Sequence, residues 1–246
     1  MNFMILFISS QIFEPYGCHW FPCITDLILS GEIKGTPLNY YVVDLVVVML
    51  SWSKTCIPED TVVARNMASS LLEYLIKHSH HTNRAVLKNN LQIVKTLLQV
   101  WKERLEVPYK LVYGLFSNPH IEAKDNSTGL QFLGLIIKAG FPPFSTTAGL
   151  SKDEFFTSLT NCLHFKYKEV YATASEVCGL ALKHFEEQHD ENGLSYLLEI
   201  VSIELSKHSR TYKEQFVLCI FHMHSYYPNI VDRLVFFPLF LHSCIL

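Results

Sequence analysis

The sequence predicts an all-α protein, a fragment of a HEAT/armadillo-like helical-repeat solenoid. Three observations lead there. Apolar residues recur at helical spacing from about residue 20 onward, strand signals are almost absent, and the predicted helices recur in pairs every ~35–45 residues. A single globular all-α bundle is the alternative, because no crisp repeated consensus accompanies the spacing. Roughly ten helices are predicted, over about 20–30, 38–53, 59–79, 83–105, 108–116, 126–139, 151–162, 167–188, 194–208 and 211–226, with a further start at 228.

Each element has its own signal. The β-branched run Tyr41 to Val48 has strand propensity, but its length and the helical pattern around it favour a buried helix. Pro58, Pro108 and Pro228 each open an apolar-periodic run, in the first-turn position where a missing N–H costs nothing. Behind Pro58, an inward face forms from Val63, Met67, Ser70, Leu71, Tyr74 and Leu75; in the next helix Leu87, Leu91, Val94, Leu98, Trp101 and Leu105 do the same. Asp125 or Asn126 is placed to cap the helix through Gln131 to Lys138, which Gly140-Phe141-Pro142-Pro143 stops. Ser151-Lys152-Asp153-Glu154 is a capping box. The clearest helix face is Val170, Ala174, Val177, Cys178, Ala181 and Phe185, with Lys168, Glu176, Lys183 and Glu187 off it. Leu234-Val235-Phe236-Phe237-Pro238-Leu239-Phe240 is strongly apolar, where a finished solenoid carries a polar capping repeat.

Composition narrows the class. The 246 residues carry net charge −3, with 49% hydrophobic and only 17% charged, against about 25% charged in an ordinary domain. Disordered and collagen-like chains are excluded. A membrane protein, a deeply packed enzyme and a piece of something larger remain open. No apolar run reaches the ~20 residues of a membrane span: Asp44 interrupts Tyr40 to Leu50, while Pro238 and His242 interrupt Leu234 to Leu246. Met1 to Ile8 is apolar but lacks the basic region and cleavage site of a secretory signal. The cysteines, Cys18, Cys23, Cys56, Cys162, Cys178, Cys219 and Cys244, are odd in number and scattered, so they read as buried thiols in a reducing compartment. Asn126-Ser127-Thr128 fits the glycosylation pattern, yet without a signal it would not meet the machinery.

Catalytic signatures are missing. There is no phosphate loop, G-x-G-x-x-G, G-x-S-x-G or H-E-x-x-H, and Asp232-Arg233 lacks the histidine and asparagine of a kinase catalytic loop. His78-Ser79-His80-His81 closes a helix, where positive groups are favourable. His222 and His224 are two apart and face different sides, so neither cluster has zinc-site spacing. Trp20, Trp52 and Trp101 read as core rather than stacking platforms. One basic stripe stands out. Arg84, Lys88, Lys95 and Lys102 fall within about 40° of one another on a helix at ~100° per residue. Such a stripe is the candidate phosphate-facing site, but an ordinary solvated helix face explains the same residues and is favoured, because no aromatic interleaving accompanies the stripe.

Several continuous strings carry a family resemblance: Gly35-Thr36-Pro37-Leu38-Asn39-Tyr40-Tyr41 running on to Ser53, Lys124-Asp125-Asn126-Ser127 with Gly129 and Gly134, Phe141-Pro142-Pro143, and Tyr167-Lys168-Glu169-Val170-Tyr171 running on to Val177. They resemble the central helical region of the DNA-dependent protein kinase catalytic subunit family, within the phosphoinositide-3-kinase-like group. The similarity covers about residues 20–235, leaving 1–19 as an unrelated or mis-predicted segment and 236–246 as a truncated apolar tail. The resemblance implies a piece of the cradle of a giant nuclear serine/threonine kinase that acts at double-strand breaks with the Ku heterodimer in non-homologous end joining. ATP and Mg²⁺ then belong to a kinase head that this chain lacks. The chain itself carries no catalytic residue, no cofactor, no metal and no membrane contact. Its partners are the rest of the kinase polypeptide, Ku and double-stranded DNA ends, and its expected role is a scaffold segment. Direct DNA-backbone binding through Arg84, Lys88, Lys95 and Lys102 is the alternative, and a free-standing helical-repeat adaptor is a third.

Overall fold

In the computed structural model, which describes residues 16–30, 62–78, 84–117 and 123–234, every regular element among the described residues is helical. The predicted helix over 38–53, Trp52 and the apolar stretch beyond Leu234 lie outside the described residues. Two compact units divide the chain between Pro108 and Tyr109.

The first unit contains α1 (Gly17–Ser30), α2 (Val62–Lys77), α3 (Arg84–Val100) and a 3₁₀ turn (Lys102–Arg104). Helix α1 starts three residues earlier than expected and carries Pro22 inside it. α2 packs on both α1 and α3. Its buried face is Ala68, Leu71, Leu72, Leu75 and Ile76, so Ser70, expected inward, is exposed. α3 buries Ile93, Val94, Leu97 and Leu98, and Trp101 joins this core as expected. Each such fully buried aliphatic side chain contributes about 1.5–3 kcal/mol. The α-helix expected to run to Leu105 ends at Val100. The chain then tightens into the 3₁₀ turn, and Glu106 N–H donates to Ser69 Oγ (3.0 Å), holding the exit against α2.

The second unit contains α4 (Tyr109–Gly114), α5 (Ala123–Lys138), α6 (Lys152–Leu163), α7 (Lys168–Glu187), α8 (Glu191–Thr211), α9 (Lys213–His224) and α10 (Ile230–Arg233). Helix ends follow local chemistry. Ser151 Oγ accepts from Glu154 N–H (3.1 Å) and Glu154 Oε2 accepts from Ser151 N–H (2.7 Å), the expected capping box. α5 closes on Gly140 at φ 82, with Gly140 N–H donating to the Ile137 carbonyl (2.8 Å) and Phe141 N–H to that of Ile136 (3.2 Å). Its start differs from expectation: α5 begins at Ala123, so Asp125 and Asn126 lie inside the helix and do not cap it. Asn126, Ser127 and Thr128 are buried, which leaves a glycan no room. The Phe141-Pro142-Pro143 segment is tied back by Tyr109 and Tyr113, whose hydroxyls donate to the Pro142 (2.5 Å) and Pro143 (3.0 Å) carbonyls. α7 ends on His189 at φ 56, and Asp190 then caps α8 by accepting from Gly193 N–H (2.9 Å).

Cross-helix contacts reveal two rows. Phe156 of α6 meets Tyr196 of α8 edge-on (4.8 Å), and His164 pairs with Glu204, so residues 40 apart stand side by side along parallel helices. Tyr113 near Phe155 and Cys162 Sγ near the Phe116 carbonyl (3.6 Å) place α4 in the same row. In the other row, Glu176 of α7 faces His222 of α9 (3.5 Å), and Glu186 accepts from the Tyr227 hydroxyl (3.0 Å). Gly179 lies against Met223, and Gly134 of α5 against Val177 and Leu180 of α7. Between the rows α6 and α7 run antiparallel, since Phe155 and Phe156 meet Phe185 while Cys162 lies near Cys178. Consecutive helices thus alternate between two rows with an offset of 40–46 residues, which is a helical repeat. A faint sequence echo exists: Lys124-Asp125, Lys168-Glu169 and Lys213-Glu214 begin α5, α7 and α9, 44 and 45 residues apart.

Helix α7 is the hub, packed by α5, α6, α8 and α9. The expected face is buried, and Tyr171, Ser175, Gly179, Leu180 and Leu182 are buried as well. Small side chains make this close approach feasible: a Cβ on Gly179 would meet the Met223 carbonyl oxygen at 2.6 Å.

Candidate nucleic-acid interface

The basic stripe is only partly assembled on one helix. Arg84 is the first residue of α3, and Lys88 and Lys95 are exposed on it, seven residues or about 10.5 Å of rise apart. Lys102 sits on the 3₁₀ turn beyond the helix end, half-exposed, and so leaves the α3 register. Gln92 and Gln99, which sequence reasoning missed, are exposed between and after the lysines. Counting i+4 and i+11 from Lys88 finds them. The solvent face is therefore Lys88, Gln92, Lys95 and Gln99, on a helix with no acidic residue. Such a face can donate to phosphate oxygens and lacks any nucleophile or general base.

The other candidates resolve into structural roles. His78 stacks on Tyr74 (4.1 Å), and its Nδ1 lies 2.9 Å from the Tyr74 carbonyl oxygen, at the α2 C-terminus where sequence placed it; Ser79 to His81 lie outside the described residues. His222 turns toward Glu176, while His224 is exposed, on different sides as expected. Among the described residues no group of three His, Cys, Asp or Glu stands together as a metal site.

The thiols divide. Cys162, Cys178 and Cys219 are free and buried, as expected, but Cys23 is exposed, its Sγ donating to the His19 carbonyl (3.5 Å) on the open side of α1. Burial pushes the Cys162 thiol up to about 12 and Cys219 to about 11, and Cys178 well above its ordinary value. Thiols this poorly ionised are unreactive. No helix among the described residues is long and apolar enough to cross a membrane.

Two alternating rows without an assembled catalytic cluster among the described residues define a helical-repeat protein. Comparison with known sequences gives the family. Residues 69–243 match the profile described as DNA-PKcs, CC5, and residues 3–58 match that described as DNA-dependent protein kinase catalytic subunit, CC3. The matched span therefore reaches beyond residues 20–235 at both ends. The chain is 36% identical over 227 residues to the DNA-dependent protein kinase catalytic subunit of Canis lupus familiaris, covering 92% of this chain and 5% of that protein. It is 37% identical over 235 residues to the Xenopus laevis protein of the same name, covering 95% and 6%. In Dictyostelium discoideum the likeness is 30% over 199 residues, covering 76% and 5%. The chain belongs to the DNA-dependent protein kinase catalytic subunit family, and it spans about a twentieth of the length of these relatives.

Proposed function

We propose that the chain is a non-catalytic scaffold segment of a nuclear DNA-repair serine/threonine kinase that acts in double-strand break repair by non-homologous end joining. The observation that carries this reading is the coverage: nearly the whole chain matches proteins named as a kinase subunit, yet it corresponds to 5–6% of each. The described core supports it, because its residues are spent on packing row against row. On this reading ATP and Mg²⁺ bind a kinase head elsewhere in the polypeptide. The partners are the rest of that polypeptide, the Ku heterodimer and double-stranded DNA ends. Incubating the purified chain with ATP, Mg²⁺ and a peptide substrate tests the non-catalytic part. No phosphate transfer is expected; turnover that follows the chain through purification would overturn it.

A second reading, direct DNA-backbone contact, is favoured by the acid-free face of α3. Phosphate contacts give affinity that falls steeply with salt, with a slope of about 0.9 per neutralised phosphate. Replacing Arg84, Lys88, Lys95 and Lys102 together with alanine is expected to flatten that slope. An unchanged slope removes this reading.

A further inference from the structure

Helices α5, α7 and α9 form one row, and α5 and α7 turn the same position toward the next member. Gly134 of α5 meets Val177 and Leu180 of α7, and 45 residues further on Gly179 of α7 meets Met223 of α9. Ser175 and Glu176, one turn before Gly179, complete the face of α7 that α9 covers. Ser175 is in hydrogen-bonding contact with Cys219, and Glu176 lies 3.5 Å from His222. The same 45-residue step carries Ser175, Glu176 and Gly179 onto Ile220, Phe221 and His224 of α9. Ile220 is turned inward, but Phe221 is 64% exposed and His224 is exposed as well. Val217, one turn before Phe221, is 61% exposed. Among the described residues α9 is packed by α7, α8 and α10, and Val217 and Phe221 stay open beside them.

An apolar pair at i and i+4 forms a ridge of the kind that packs into the groove of a neighbouring helix. A face meant for water carries polar residues instead, as Lys183 and Glu187 do on the outer side of α7. The exposed charges beside the ridge, Lys213 and Glu214, are of opposite sign. They select neither a phosphate backbone nor an anionic surface, both of which call for concentrated positive charge. What fits the ridge is the element that already covers its counterpart on α7: a parallel helix with an apolar stripe, continuing the interface from α5 to α7 to α9.

Taking the chain as a scaffold segment, we propose that Val217 and Phe221 are the docking face for one further helix of this row, supplied by the larger polypeptide. The probe is a maleimide, applied to Phe221→Cys and, as a control, Lys183→Cys. Each variant is labelled in the isolated chain and in the Xenopus laevis relative with its matching segment replaced by this chain. Lys183 is exposed on α7, which already has both of its row neighbours. Mass mapping reads each site from its own peptide. In the isolated chain both variants are expected to react at once, at low and high chain concentration alike. In the graft Phe221→Cys is expected to react at least about ten-fold more slowly, as a side chain under a packed helix reacts only on local opening, while Lys183→Cys reacts as before. Equal reactivity of Phe221→Cys in chain and graft, or equal protection of both variants in the graft, would overturn the proposal. So would protection of Phe221→Cys in the isolated chain, which assigns the face to the chain's own residues or, where it grows with concentration, to a second copy. DNA-dependent phosphorylation by the unsubstituted graft separates the two readings. An active graft that is modified at position 221 removes the docking face and leaves the scaffold role standing; an inactive graft protected at position 221 does the reverse.

Discussion

At the scale of single residues, burial and capping decide chemistry. Cys162, Cys178 and Cys219 are held protonated by desolvation, whereas Cys23 is open to solvent. At about pH 8, where an ordinary thiol is partly ionised, a thiol reagent should modify Cys23 at once and reach the other three only on unfolding. Mass mapping that finds Cys178 modified as fast as Cys23 in the native chain would contradict the buried assignment. Glu154 offers a pH handle. Hydrogen bonds from the Ser151 backbone, and then its side chain, hold the Glu154 carboxyl below the usual carboxylate range. A depressed carboxyl stabilises the fold above its unfolded-state value, and the contribution is lost as pH falls through the folded one. The stability gap between the parent and Glu154→Gln should therefore be full near pH 6 and shrink on acidification below about 4.3, read from denaturant midpoints. A gap that widens with acid would refute the assignment.

At the scale of elements, two glycines on helix faces should respond oppositely. A Cβ at Gly179 would lie 2.6 Å from the Met223 carbonyl oxygen, so α7 and α9 must separate. Gly179→Ala should cost about 1–3 kcal/mol, the usual range for overpacking. At Gly134 the nearest atoms are 3.7 Å away on Leu180, an ordinary contact. Gly134→Ala should add up to about 1 kcal/mol through helix propensity. Urea melts of the two variants check the pair, and a stabilised Gly179→Ala would show that α7 and α9 are not closely packed there. Element boundaries were legible in the sequence wherever a side chain itself makes the terminus: Ser151 with Glu154, Gly140, and Pro108 ahead of α4. They were misread where the signal was not local. Asp125 and Asn126 have good capping chemistry, yet the helix passes through them because Asn126 and its neighbours are buried. Burial on the second side of α7 was hidden because Ser175 and Gly179 do not look apolar.

At the scale of the whole molecule, the low charge and high apolar content of the sequence fit helices that spend several faces on neighbours. The repeat itself was only half legible. Pair spacing pointed to it, but its offset shows in contacts such as Phe156 with Tyr196 rather than in a consensus, because packing asks only for apolar or small residues at those positions. The basic candidates were legible as a helical stripe except at Lys102, where a 3₁₀ turn changes the register. The central claim is that this chain is a working structural segment of a far larger kinase. Its most direct test replaces the matching segment of the Xenopus laevis relative, 37% identical, with residues of this chain and measures DNA-dependent peptide phosphorylation. Retained DNA-dependent activity is predicted. A graft that assembles at normal abundance but has lost that activity would contradict the account.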